Sequence, residues 1–325
     1  MQREDEKMRH VFILNPVAGK SQMALELRGK IDAYFAKHPE MTYAIRLTDS
    51  KGSATHIAQE ECAVGDAVRL YACGGDGTLQ ETATGIPLSS DRVELAAIPC
   101  GSGNDYVRLF GAKECFLDIR DVIEGTAVTV DAVNCGDMLS LNIAAIGMDA
   151  AVADKMQKYK NLPGVNGSMA YNLAIADVFF HPIGDDMTIE IEGEEGVITR
   201  SGKYLMTLAA NGRYYGGGYM GAPKAVENDG VLDFTLVKAV PKLQIPLILG
   251  RYKSGHHDEL DCVEHLRGYA MRVCSAKPTV CTVDGECFTT DSIEFRILPS
   301  AFNFVLPASV YQKKKITKRK STVAV

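Results

Sequence analysis

The sequence predicts an α/β N-terminal domain with a parallel sheet, followed by a C-terminal antiparallel β-sandwich domain. Three observations predict it. Over the first 130 residues, short β-rich apolar runs alternate with helical runs, the pattern of a parallel sheet covered on both faces. From about residue 126 the pattern changes to many short strands with turn signals between them, as in an antiparallel sandwich. A chain of 325 residues is also long for one core and comfortable for two domains. The expected divisions are 1–130, 131–312 and a basic tail over 313–325.

The elements follow in order. "HVFILN" (10–15) is short, apolar and β-rich, and predicts a buried strand. "SQMALELRGKIDAYFAKH" (21–38) carries apolar residues at helical spacing. "YAIRL" (43–47) predicts a strand, "SATHIAQEECAV" (53–64) a helix and "AVRLYAC" (67–73) a strand, after which "TLQETATGI" opens another helix. "VELAAIPC" (93–100) is a strand that runs into a second glycine loop. Beyond the change of pattern, "AVTVDAVNC" and "MLSLNIAAIG" predict two strands about a Gly136–Asp137 turn. "MTIEIEGEEGVITRSGKYLMTLAANG", "VLDFTLVKAV", "YAMRVCSA", "TVCTVDGECF", "SIEFRIL" and "FNFVLP" repeat the idea. Helical segments near 167–181 and 242–255 interrupt them. No internal repeat or low-complexity linker marks the boundary, which rests on the change of pattern alone.

Composition removes several function classes. No apolar run approaches the ~18 residues of a membrane span. The charged start "MQREDEKMRH" leads straight into "VFILN" without a secretory apolar region, so the expected place is the cytosol. Nine cysteines lie scattered without a CxxC pair, as reduced and mostly buried thiols do. A net charge of -6 argues against nucleic acid as a partner. The run "KKKITKRK" (313–320) departs from that average with six basic residues. It reads either as a solvated, disordered tail or as a transient contact for anionic lipid at the inner membrane face.

Three polar loops end predicted strands, the edge where such sheets bind ligands. "LNPVAGKS" (14–21) resembles a phosphate-binding loop, but that motif needs a glycine where Leu14 stands. A glycine, Lys20 and Ser21 before a helix still suit an anion. "GGDGTLQ" and "GSGNDY" both fail the dinucleotide fingerprint, at Gln80 and Tyr106, which argues against hydride transfer. Each of these two loops carries one aspartate, Asp76 and Asp105. Beside a polyphosphate a carboxylate repels unless a cation lies between, and Mg²⁺ is held by carboxylates and phosphate oxygens. The two aspartates therefore read as ligands of a nucleotide-bound Mg²⁺ or, alternatively, as turn residues that bond their own backbone. His256 and His257 are adjacent, a poor spacing for one metal, and read as loop residues.

"GGDGTLQE" followed by "IPCGSGNDYVR" resembles the diacylglycerol kinase catalytic-domain family, which includes bacterial soluble lipid kinases and the sphingosine and ceramide kinases. "NPVAGK", "SLNIAAIGMDA" (140–150), "NGRYYGGGYMGAPKAVENDGVLD" (211–233) and "VDGE" (283–286) extend the resemblance over roughly residues 10–306. GGDGT alone is shared with NAD kinases and, loosely, phosphofructokinases, so the first domain is expected to be like theirs. Two departures stand out: Gln80 for the family's asparagine, and Ser102 for its threonine.

The resemblance implies ATP as phosphoryl donor, with Mg²⁺. It assigns ATP contacts to Asn15, Pro16, Val17, Ala18, Gly19, Thr48, Gly74, Gly75, Asp76, Gly77, Thr78, Leu79, Gln80 and Ser102, with Lys20 near the phosphates. Asp76 and Asp105 would organise the catalytic Mg²⁺, and Asp131 matches an acidic position near the domain junction. Asp229, with carbonyls about Val226 and Val231, would hold a structural Mg²⁺; a plain turn aspartate is the other reading. Glu286 would be the general base, presented by an Asp-Gly hairpin turn. The implied reaction is phosphorylation of diacylglycerol to phosphatidic acid, and a homodimer is compatible with it. Another lipid alcohol, a soluble acceptor of the NAD kinase kind, and a nucleotide-binding regulator without turnover are the alternatives.

Overall fold

The computed structural model describes residues 8–19, 23–160, 162–165, 167–180 and 184–323. The chain forms two units, Met1–Val130 with Ser300–Val325, and Asp131–Pro299.

The first unit alternates as the apolar pattern dictates: β1 (Arg9–Leu14), α1 (Met23–Phe35), β2 (Thr42–Leu47), α2 (Ser53–Ala63), β3 (Val68–Gly74), α3 (Asp76–Thr84), β4 (Val93–Pro99) and the short α4 (Ile119–Ile123). The strands pair in parallel in the order β2-β1-β3-β4. Burial follows position. β3, inside the sheet, is buried along its whole length, while the edge strand β2 is exposed or half-buried throughout. Under α1, Phe12 stacks on Tyr71 with ring centroids 4.2 Å apart, and Phe35 meets Phe12 edge-on at 5.9 Å. Each of these side chains contributes about 1.5–3 kcal/mol through its burial. Arg69 enters the unit as a charge but is neutralised by Glu94 at 2.6 Å, and it donates to the carbonyls of Ile123 and Gly125.

The second unit contains β5 (Thr126–Cys135, which enters it from Asp131), β6 (Met138–Ser140), β7 (Ile143–Gly147), α5 (Met148–Lys160), α6 (Gly167–Phe180), β8 (Asp185–Gly193) and β9 (Gly196–Ala210). A small hairpin, β10 (Tyr214–Tyr215) and β11 (Tyr219–Met220), is followed by β12 (Leu232–Lys238), α7 (Ile245–Ser254), β13 (Val263–Gly268), β14 (Ala270–Val283) and β15 (Glu286–Leu306). β12–β13, β12–β9, β14–β15, β14–β7, β14–β8, β5–β6, β7–β9 and β8–β9 all pair antiparallel. β9 and β14 each pair with β8 over one end and with β7 over the other. The strands therefore form one connected antiparallel system, wrapped about a core of Ile146, Ile189, Phe234, Met271 and Phe295. β14 turns this corner where its register against β15 shifts between Cys274 and Thr279.

Three differences from the sequence reading have physical reasons. The second predicted strand, "MLSLNIAAIG", is broken at Leu141–Asn142, whose N–H groups turn to Asp284 rather than to a neighbouring strand. α5 was not expected, although "DAAVADKMQKYK" is rich in good helix formers. Residues 300–312 belong with the first unit and not the second, because Asn303 and Phe304 of β15 pair in parallel with Glu94 and Leu95. The chain then ends in α8 (Ala308–Val323), so the basic run up to Lys320 is helical. Ser309 holds that helix through the Asp121 carboxylate, its hydroxyl at 2.5 Å and its N–H at 3.0 Å. Buried Val310, and Lys314 lying 5.2 Å over the Phe110 ring, add to this contact.

Candidate active site

The strand ends of the first unit carry three loops, and backbone contact locks them together. β1 runs into Asn15–Gly19. Asn15 closes a turn by accepting from the Val17 N–H at 3.1 Å and reaches across to donate to the Thr78 hydroxyl at 3.1 Å. Gly19 has φ +77°, and a Cβ there would lie 2.5 Å from the Cys100 carbonyl oxygen. β3 runs into Gly74 and Gly75, and β4 into Gly101. The N–H groups of Cys100 and Gly101 both donate to the Gly74 carbonyl, at 2.8 and 3.1 Å. A Cβ on Gly101 would stand 2.5 Å from the Gly75 Cα, so only glycine allows this approach.

Asp76 ties the last two loops. It opens α3, and its carboxylate accepts from the N–H groups of Asn104 at 2.6 Å, Asp105 at 2.7 Å and Tyr106 at 3.3 Å. Burial pushes its carboxyl up from the ordinary carboxylate range, and these three bonds pull against that shift. Asn104 sits at φ +55°, a left-handed turn that its side-chain bond with the Gly101 N–H at 3.1 Å supports. Asp105 is buried and faces Arg108 at 3.1 Å. Both carboxylates converge on Gly103: a Cβ there would lie 2.8 Å from Asp76 Oδ2 and 3.7 Å from Asp105 Oδ2. Two convergent carboxylates beside glycine backbone are an oxygen donor set that fits a hard cation.

The remaining residues of this unit separate into lining and support. Pro16, Val17, Gly19 and Ser102 are exposed, and Ala18, Gly75 and Gly77 half-buried, on or beside the loops. Thr48, Gly74, Leu79 and Gln80 are buried. Thr78 is buried with its hydroxyl engaged by Asn15, so it braces the loops. Lys20 lies outside the described residues.

In the second unit, Asp284 and Gly285 have φ +47° and +97° and join β14 to β15 in a two-residue turn, which puts Glu286 opposite Val283 at the hairpin mouth. The Asp284 carboxylate accepts from the Ser140 hydroxyl and the Leu141 N–H, both at 2.7 Å, and from the N–H groups of Ile143 and Asn142 at 3.1 and 3.3 Å. The sequence reading took this aspartate only as a turn residue; the donors that meet its carboxylate are invisible without the fold. Glu286 is half-buried beside it. Asp131 is buried and accepts from the Gly230 N–H at 2.8 Å, fixing the "NDG" turn, while the Asn211 amide donates to the carbonyls of Asp131 and Leu141. Asp229 meets the Arg267 guanidinium, which supplies the counter-charge a cation would bring; Val226 is exposed and Val231 half-buried. An Mg²⁺ would have to displace Arg267 from Asp229, as it would meet Arg108 beside Asp105.

Two groups escaped the sequence reading. Asp149, in the first turn of α5, accepts from the Tyr215 hydroxyl at 3.1 Å, and burial pushes its carboxyl up to about 7. His257, read from sequence as a loop residue, does lie in the turn after α7 but faces inward. It is fully buried, with its ring centroid 4.4 Å from that of Tyr252.

Comparison with known proteins matches this division of labour. Residues 9–135 match the model of the diacylglycerol kinase catalytic domain, and residues 142–306 that of the YegS C-terminal NAD kinase beta sandwich-like domain. The chain is 28% identical over 304 residues to a protein of Shewanella frigidimarina named "Probable lipid kinase YegS-like", covering 92% of this chain and 94% of that one. A protein of Pseudomonas aeruginosa with the same name is 28% identical over 301 residues, covering 91% and 94%. Among solved structures, a diacylglycerol kinase from Bacillus anthracis str. Sterne has the same fold, with a TM-score of 0.65 at 20% identity over 94% of this chain and 98% of that one.

Proposed function

The chain belongs to the family that joins a diacylglycerol kinase catalytic domain to a YegS-type C-terminal domain, and from that premise we propose that it is an ATP-dependent lipid kinase that phosphorylates the hydroxyl of diacylglycerol to give phosphatidic acid. The observation that carries the reading is the pair of glycine loops joined through Asp76. Their glycines let the loops approach one another backbone to backbone, and the opening turn of α3 offers N–H groups without intrahelical acceptors, which suit a phosphate chain. A dinucleotide enzyme needs a complete GxGxxG loop, which neither loop supplies.

Asp105 and the Oδ2 of Asp76 would hold Mg²⁺, which when bound neutralises phosphate charge. Asp76 keeps Asn104 and Asp105 in place, so the same carboxylate would also aim the second loop. Glu286 acts as general base: a carboxylate can take the proton of an alcohol when the transfer is concerted with attack on the γ-phosphoryl group. The Asp284–Gly285 turn fixes the start of β15, so the Glu286 backbone is pre-set. The relatives' names support a lipid acceptor, and the basic C-terminal run suits contact with an anionic lipid surface.

The test is the rate of phosphoryl transfer from ATP to diacylglycerol in mixed micelles. Glu286→Gln is expected to lower kcat by a factor of ~10²–10⁴ with ATP affinity retained. Near-normal turnover in that variant would remove Glu286 from its role.

A further inference from the structure

His257, Asp258 and His265 form a cluster in the second unit that the phosphoryl-transfer reading does not use. His257 and Asp258 lie in a single 3-10 turn (His257–Glu259) just after α7, and His265 lies on β13. One ligand atom from each stands within 4.8 Å of the other two. Asp258 Oδ1 is 2.9 Å from His265 Nε2 and 4.0 Å from His257 Nε2.

The polarity of these atoms is wrong for a self-contained hydrogen-bond cluster. Neither ring nitrogen of His257 has a hydrogen-bond partner, although the side chain is fully buried, and the buried Asp258 Oδ1 receives no hydrogen bond either. The Gly221 backbone makes a weak hydrogen-bonding approach to His257 that falls short of full geometry. Leaving such groups unmet is costly in a folded interior. The Thr235 hydroxyl sits between the Gly221 carbonyl at 3.3 Å and His265 Nδ1 at 3.2 Å and fixes the ring, which leaves Nε2 facing the Asp258 carboxylate.

We infer that His257, Asp258 and His265 bind a divalent transition metal ion of the Zn²⁺ class. Two imidazoles and one carboxylate are a donor set that suits zinc and disfavours Mg²⁺. Ligand atoms bonded at ~2.0–2.2 Å around a tetrahedral ion stand roughly 3.3–3.6 Å apart, and the two separations above bracket that range. The supporting contacts are also in place. Thr235 orients His265 through Nδ1, and Lys224 holds the other carboxylate oxygen of Asp258 at 2.7 Å, leaving Oδ1 for the ion. Such an ion ties the end of α7 to β13. The site is chemically distinct from the Asp76–Asp105 pair, and it stands or falls independently of the kinase reading.

The full-length protein, stripped with a chelator, is titrated with ZnCl₂ and, in parallel, with CoCl₂. The expected result is uptake of one equivalent, a rise in Tm, and the intense visible bands that Co²⁺ gives in a four-coordinate site. Thr235→Val is expected to weaken Zn²⁺ binding ~10–100-fold, the usual effect of removing a partner one shell out. Asp258→Asn and His265→Gln should weaken it further still, while His256→Gln, next to the cluster, should bind as the wild type does. Asp258→Asn changes no volume and carries the test if a histidine variant does not fold. Failure of the wild type to take up stoichiometric metal, or uptake unaltered in Asp258→Asn, would reduce the cluster to an Asp258–His265 ion pair and overturn the inference.

Discussion

A carboxylate among glycines was the central oddity of the sequence at the scale of the residue. The sequence offered Asp76 as a metal ligand or as a turn residue bonding its own backbone. The geometry adds a role that neither names, because three N–H groups of another loop converge on this one side chain. Asp284 repeats the device in the second unit, where it gathers Ser140, Leu141, Asn142 and Ile143. Neither role is legible in sequence, since the bonded partners lie 28–30 and 141–144 positions away. His257 misled for the same reason: its neighbour in sequence is His256, but its neighbour in space is His265. Asp149 yields a pH prediction. Its folded pKa of about 7 lies above its ordinary 3.8, so between those values the folded state holds a proton that the unfolded state has released. Stability from this group is therefore lost as pH rises from about 4 to about 7. Asp149→Asn is expected to stabilise the protein above that window, by on the order of 4 kcal/mol at most, and to change little near pH 4. Urea denaturation at about pH 4 and pH 8 measures this, and an equal effect at both would contradict it.

At the scale of elements, the first unit was almost fully readable because each of its strands is a short apolar run bounded by turn residues. The apolar runs predicted β1 to β4 and α1 to α3 to within three residues at each end. The second unit was harder. Its long strands β9, β14 and β15 change partners along their length, and a local pattern does not carry that information. α8 was hidden because a run of like charge reads as solvated chain; its hold on Asp121 and Phe110 comes from tertiary contact. The glycines divide by what surrounds them, and this makes a paired prediction. Gly101→Ala forces a Cβ against the Gly75 backbone and is expected to cost about 1–3 kcal/mol and to weaken ATP binding. Gly29, inside α1, has open space about it, so Gly29→Ala should add about 0.5–1 kcal/mol. Thermal melts with and without ATP separate the two. A Gly101→Ala protein as stable as wild type would mean that the loops are not in backbone contact.

At the scale of the whole molecule, the resemblance spans nearly the entire chain, and both family models fall on it in the expected order. No described helix is long and apolar enough to cross a membrane. The two units hold different parts of the proposed chemistry: glycine loops, Asp76 and Asp105 in the first, Glu286 and the His257–Asp258–His265 cluster in the second. The acceptor is what the sequence left open, since the motifs recognise phosphate and not the lipid. Incubating the protein with γ-labelled ATP, Mg²⁺ and a panel of lipid alcohols in mixed micelles tests the central claim most directly. The account predicts label in phosphatidic acid, formed from diacylglycerol and lost when Mg²⁺ is chelated. Label only in another phosphorylated lipid would contradict the choice of acceptor, and label in a soluble product such as NADP, or in none, would contradict the lipid kinase itself.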